Sequence, residues 1–184
     1  MSQLLNNLKE VLPKTINVVG NATSLLQSTH GSDIDKHPTI RFNRTEIIEP
    51  TGQGNRWDFL ATSEVNTLLK YNEEQPKFHS LIFTPKTHVN AVKIKKAKFE
   101  CRFYSYPLEY SYLLTSRIGS EPSTGLQILY LLQKFNHRSV NIFGFDWKAT
   151  PTFYEKRNKG EHDFEKEKEI VLGMAKLMNW KIYY

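Results

Sequence analysis

Seven short runs rich in β-branched and aromatic residues recur along the chain, and helical patterns separate most of them. The runs span 16–20, 39–42, 57–61, 80–84, 99–104, 139–144 and 181–184. The helical patterns span 2–12, 23–28, 65–70, 108–117, 124–135 and 162–178. Strands that alternate with helices pair in parallel, because each crossover carries the chain back to the same end of the sheet. Several runs, such as VNIFGF, are apolar without alternation. That pattern fits strands covered on both faces. The expectation is an α/β class protein: a single Rossmann-like domain over 1–184, its mainly parallel sheet flanked by helices.

The 184 residues, 39% of them hydrophobic, suffice for one ordinary core. No repeat or low-complexity stretch interrupts them. A lone cysteine, Cys101, excludes an intramolecular disulfide and suits a reducing compartment, with Cys101 read as a small strand residue. The opening MSQLLNNLKEVL lacks the basic start and continuous apolar core of a signal peptide. Leu4, Leu5, Leu8, Val11 and Leu12 share one helical face, so 1–13 reads as a helix packed on the domain. No stretch is long enough to cross a bilayer. A cytoplasmic protein is expected, with peripheral contact at an inner membrane as a secondary reading. The net charge of +6 favours an anionic partner.

In parallel α/β sheets, ligands bind at the carboxyl ends of the strands. Three such ends stand out: Gly20-Asn21, Asn43 and Gly144–Asp146. The stretch NVVGNATSLLQS has a strand–turn–helix outline but one glycine, not the three of a dinucleotide loop. Both Asn21 and Asn43 begin N-x-T triplets. As amides in strand-end turns they offer donors and acceptors to a ligand. Ser123, Thr124 and Gly125 open an apolar helix, where a hydroxyl caps free N–H groups and the dipole favours an anion. PTGQGN over 50–55 reads as a loop, and 150–161 as a loop that is either a lid or plain surface. Asp33-x-Asp35 has the form of a metal-binding carboxylate pair, but turn chemistry between a helix and a strand is the stronger reading. In HDFEKE, His162 can accept a proton, and Glu167 one turn on can support it. The run Lys93, Lys95, Lys96, Lys98 and Arg102 reads as a solvated edge strand, with nucleic acid a weaker possibility.

The order of these elements resembles glycosyltransferase family 29, the sialyltransferases. VVGNATSLLQSTHGSDIDKHPTIRFNR is similar to the large sialylmotif, with V-G-N, G-x-x-I-D and R-x-N. PSTGLQILYLLQKFNHRSVNIFGF is similar to the small motif, FYE at 153–155 to the third motif, and HDFEKE to the very small motif, H-x-x-x-x-E. The resemblance implies a modified GT-A type fold and an inverting enzyme that needs no metal or other cofactor. The donor would be CMP-sialic acid. The acceptor would be a terminal sugar, galactose for example, of a glycan or lipopolysaccharide. It implies that Asn21 and Asn43 contact CMP, with Gly20 shaping the turn. Ser123, Thr124 and Gly125 would hold the donor sugar, and Tyr154 would close over the nucleotide. His162 would be the general base, with Glu167 supporting that helix. CMP-Kdo is an alternative donor, and a non-catalytic module that binds nucleotide or anionic glycolipid is the alternative of another class.

The chain also departs from the family. Ile16 and His137 stand at the positions of the family's paired cysteines, and Thr152 stands where the third motif has a histidine. A short, disulfide-free, bacterial-type member is implied.

Overall fold

The computed structural model describes residues 8–64, 80–83, 102–153 and 162–184. Cys101, Tyr154, the lysines 93, 95, 96 and 98, and the expected helix over 65–70 lie outside these residues. Among the described residues seven strands form one sheet: β1 (Thr15–Val19), β2 (Thr39–Phe42), β3 (Phe59–Thr62), β4 (Ser80–Phe83), β5 (Arg102–Ser105), β6 (Ser139–Phe143) and β7 (Lys181–Tyr183). Their spatial order is β5-β4-β3-β2-β1-β6-β7, and all six neighbouring pairs are parallel. The helices are α1 (Gly31–Ile34), α2 (Pro50–Gln53), α3 (Leu108–Ile118), α4 (Thr124–Lys134) and α5 (Phe164–Met178), with a 3-10 turn at Thr23–Gln27. All seven expected strands are present. The basic segment's visible end, Arg102, lies on β5 at the sheet edge, as expected for a solvated strand.

The two faces of the sheet are built differently. Ile16 and Val18 of β1, Ile40 and Phe42 of β2, and Val140 and Ile142 of β6 point to one face. There they meet Leu126, Ile128, Leu129 and Leu132 of α4 and Val171, Met174 and Met178 of α5. Leu8 joins this core from a helical turn over residues 8–11. Each of these large side chains contributes about 1.5–3 kcal/mol by leaving water, so this face carries the larger share of apolar burial.

The opposite face has a small apolar patch, Val19, Leu25, Ile34 and Phe143, and buries polar side chains beside it. Asn17 donates to the carbonyls of Asp33 (3.2 Å) and Ile34 (2.8 Å), so it satisfies the end of α1. Arg41, 1% exposed, donates from Nη2 to Gln53 O (2.6 Å) and from Nε to Arg56 O (2.8 Å). Buried polar groups must be paired, and here they read the open carbonyls of short helices. PTGQGN is therefore not all loop: residues 50–53 form α2, started by Pro50 and a Glu49 carboxylate that accepts from Thr51 N–H. The composition hid it because part of its support, the Arg41 bond to the Gln53 carbonyl, comes from outside the segment.

The order of strands reverses between β1 and β6, which is where such a sheet opens a crevice. Gly20 follows β1 and Gly144 follows β6. A Cβ on Gly20 would lie 2.2 Å from the Gly144 carbonyl oxygen, closer than any packing allows. Gly173, on the exposed side of α5, has nothing within 4 Å of its Cβ position. The two glycines therefore predict opposite results in urea unfolding. Gly20→Ala lowers stability by about 1–3 kcal/mol through overpacking. Gly173→Ala raises it by about 0.8–1 kcal/mol through helix propensity.

Candidate functional site

A cleft of about 380 Å³ opens at the carboxyl ends of β1, β2, β3 and β6. Gly20, Asn21, Asn43, Ser123, Thr124, Gly125, His162 and Glu167 all line it. Of the site residues expected from sequence, the one not placed there is Tyr154, which lies outside the described residues.

Asn21 is 8% exposed, and its Nδ2 donates to the Phe42 carbonyl at 2.9 Å. Its Oδ1 is buried with no hydrogen-bond partner. A buried orphan acceptor costs free energy unless something donates to it. Asn43 sits at φ 47, a left-handed position that asparagine tolerates. Its Oδ1 accepts from Ser63 N–H at 3.0 Å and from the Thr62 hydroxyl at 3.2 Å. The amide oxygen of Asn43 therefore holds the β3 end from within the cleft lining.

Ser123 is engaged on every side. Its hydroxyl caps α4 by accepting from Leu126 N–H (3.2 Å) and donates to Glu167 Oε2 (2.5 Å). Its N–H donates to Glu167 Oε1 (2.7 Å). The rim that α4 offers to a ligand is thus Thr124 and Gly125, with Ser123 fixing their position. A Cβ on Gly125 would come within 2.8 Å of the Phe145 ring. That ring packs edge-on against Phe42 (5.8 Å) and beside Trp147 (5.8 Å), so the cleft floor is aromatic.

His162 precedes α5, whose cap is Asp163. The expected helix from 162 therefore begins two residues later, at Phe164. A hydrogen bond of 2.7 Å joins His162 Nδ1 to the carbonyl oxygen of Glu121. A carbonyl only accepts, so Nδ1 carries the proton and the lone pair of a neutral ring falls on Nε2. That is the arrangement a general base needs. Glu167 does not supply this orientation. Its carboxylate is turned to Ser123, where it supports the start of α4, and the backbone carbonyl of Glu121 orients the ring.

Sequence reasoning missed Ser63, Gln127, Trp147 and Lys148, which also line the cleft, as do Phe145 and Asp146 of the strand end that it singled out. Ser63 follows β3, so the rule that picked out Asn43 also reaches it. Gln127 stands one turn beyond Ser123 inside an apolar helix, where periodicity reads it as packing. Asp146 binds back on its own turn: it accepts from Ser24 Oγ (3.1 Å), Lys148 N–H (3.1 Å) and Thr150 N–H (3.0 Å). This turn holds Trp147 at φ 59 and Lys148 at φ 65. The first residues of the 150–161 segment are pinned: Thr23 N–H donates to Pro151 O (2.9 Å) and Phe153 N–H to Asn21 O (3.2 Å). Thr152, where the third motif has histidine, lines the cleft. Asp33 and Asp35 do not. Asp33 pairs with Lys36, and Asp35 accepts from Asn55 and Arg56 N–H, as expected of turn chemistry.

A parallel sheet of this order, with a cleft at its switch point walled by two helix N-termini, has the sialyltransferase fold. Three solved structures carry the comparison. A mammalian sialyltransferase in complex with Gal-beta-1-3GalNAc-ortho-nitrophenol has a TM-score of 0.70 at 17% identity, over 95% of this chain and 71% of that one. A second mammalian sialyltransferase structure has a TM-score of 0.69 at 20% identity, over 97% and 72%. The sialyltransferase CstII from Campylobacter jejuni, in complex with the substrate analogue CMP-3FNeuAc, has 0.63 at 12%, over 93% and 80%. No protein-family model and no curated protein matches the sequence.

Burial pushes the Glu167 carboxyl above its ordinary 4.5, against the opposing pull of the Ser123 hydrogen bonds and the His162 charge. The folded state then holds that proton more tightly than the unfolded chain. This group's contribution to stability therefore falls as pH rises from 4.5 through the raised value. Glu167→Gln retains an acceptor for Ser123 N–H and removes the titration. Urea unfolding across that window is expected to show a flatter pH dependence for the variant, and parallel profiles would refute this.

Proposed function

We propose that the protein is an inverting sialyltransferase that moves sialic acid from CMP-sialic acid to a terminal sugar hydroxyl, and that it does so without a metal ion. The observation that carries this reading is convergence. Gly20, Asn21, Asn43, Thr124, Gly125 and His162 come from four separate stretches of sequence and line one cleft, in a fold shared with sialyltransferases.

The chemistry follows from the groups present. The donor carries a phosphodiester and a carboxylate. The N-termini of α4 and α5 both face the cleft, and each places the positive end of a helix dipole there. Asn21 Oδ1 suits a hydroxyl or amine of the nucleoside. The aromatic floor of Phe145, Phe42 and Trp147 suits a planar or hydrophobic surface of the donor. His162 Nε2 takes the proton from the acceptor hydroxyl as that oxygen attacks the anomeric carbon. The bond from that carbon to the phosphate oxygen breaks, and its electron pair leaves with CMP. Attack opposite the leaving group inverts the centre in one displacement.

Metal independence rests on where the carboxylates are committed. Glu167 holds Ser123, Asp146 holds its own turn, Glu64 pairs with Arg44, Asp33 and Asp35 lie away from the cleft, and among the described residues no three carboxylates, histidines or cysteines cluster as metal ligands would.

His162→Ala is expected to keep CMP affinity and to slow transfer by about 100- to 10,000-fold, as loss of a general base does. CMP release from CMP-sialic acid with a galactose-terminated acceptor measures it. Native-rate transfer by the variant removes the base assignment. The same assay with CMP-Kdo tests the alternative donor, and release in excess EDTA at an unchanged rate is expected.

A further inference from the structure

The cleft has an electrostatic imbalance that the helix termini alone do not settle. Four acidic residues line it: Glu64, Glu121, Asp146 and Glu167. Among the described residues, Lys148 is the one lysine or arginine that does. A dianionic ligand entering such a site needs a cation, because helix dipoles supply only about half a charge each.

The backbone around Lys148 is built at a cost. Trp147 and Lys148 both adopt left-handed φ values, an arrangement that non-glycine residues reach singly and rarely in succession. Strain of this kind persists where surrounding contacts overdetermine it. Here the Asp146 carboxylate accepts from the N–H groups of Lys148 and Thr150 and from Ser24, and the Trp147 ring packs beside Phe145. The turn so fixed carries the Lys148 ammonium over the Phe164 ring, 5.6 Å from its centroid. Phe164 lies at the start of α5 and meets the His162 ring at 5.6 Å. Residues of β6's exit loop and of α5 thus place a cation within the same cleft as the proposed base.

Resting on the donor reading above, we propose that Lys148 is the residue that binds the phosphate of the CMP-linked donor and offsets the charge gained when CMP departs. The ammonium replaces part of the phosphate's hydration with a fixed charge. Its interaction strengthens as the sugar–phosphate bond breaks, because the phosphate then carries a second negative charge. Asp146 acts through it as a positioning residue, holding the turn without touching the ligand.

The test compares CMP with cytidine, which lacks the phosphate, by calorimetry on the full chain. Lys148→Met is expected to weaken CMP binding by about 10- to 100-fold, the range for a charge-assisted hydrogen bond, and to leave cytidine binding unchanged. Lys148→Arg is expected to restore most CMP affinity, and the salt dependence of CMP binding should fall in Lys148→Met. Equal losses for both ligands would mean that the lysine only shapes the turn, and unchanged CMP affinity would mean that it does not meet the phosphate. Either result overturns the proposal while the donor reading stands. Failure of the unmodified protein to bind CMP at all would overturn the donor reading itself, and this proposal with it. Thermal unfolding of each variant separates loss of binding from loss of fold.

Discussion

The site depends on how closely two backbone segments meet. Gly20 and Gly144 leave β1 and β6 at the point where the sheet's strand order reverses, and no side chain separates them. Gly20 N–H still bonds to Phe143 O at 2.8 Å, and Ala22 N–H reaches Gly144 O at 3.4 Å, so the ladder continues past the strand ends. Because the backbones touch there, the Phe145 ring can lie across Gly20 and against Gly125. One aromatic ring thus fixes the spacing between β1, β6 and the start of α4. The single glycine in NVVGNATS is therefore a packing residue before it is a phosphate-loop residue. The cleft is shaped by three close approaches, at Gly20, Gly125 and Gly144, and not by a glycine-rich loop.

The asymmetry of the sheet's faces has a functional consequence. The apolar face, under α4 and α5, holds the two helices whose N-termini reach the cleft. The polar face uses Asn17 and Arg41 to hold the short helices α1 and α2 by their carbonyl ends. Burial pulls the Arg41 guanidinium down to about 10, so it remains charged at neutral pH. A buried charge that donates to carbonyls stabilises less than a hydrocarbon of equal volume but admits one geometry. Rigid packing lies behind the reacting groups, and the polar face sets the ends of β1 and β2, from which Asn21 and Asn43 project.

Much of this was legible in the sequence because strands buried on both faces leave an apolar signature that turns and helices interrupt. The seven runs gave seven strands, and the rule that ligands sit at strand carboxyl ends led to Asn21 and Asn43. Three features were not legible. α2 was read as a loop because Arg41, far off in sequence, stabilises it. The roles of Ser123 and Glu167 were read singly, whereas they bond to each other across 44 positions. Lys148 was passed over because nothing in FGFDWKAT announces two successive left-handed residues. They arise from a carboxylate that binds its own turn, which is a property of the folded loop.

The spacing between His162 and Glu167 has a physical reason that neither residue's chemistry supplies. The segment 120–123 runs beside the start of α5 and is bonded to it at three levels. Ser120 Oγ accepts from Asp163 N–H (3.2 Å), Glu121 O accepts from His162 Nδ1 (2.7 Å), and Glu167 accepts from Ser123 N–H and hydroxyl. Four residues separate His162 from Glu167, so the helix turns once and both side chains reach the same segment. Each contact therefore does a different task in one register. One sets the tautomer of the base, one seats the start of α5, and one locks the start of α4. Separating the base from the α4 terminus would require breaking a carboxylate's bonds in a buried place, which is costly. This accounts for an acid 2% exposed in the cleft lining that bonds to Ser123 and not to His162. It keeps His162, the proposed base, and the start of α4 at a fixed separation, as the proposed in-line displacement requires.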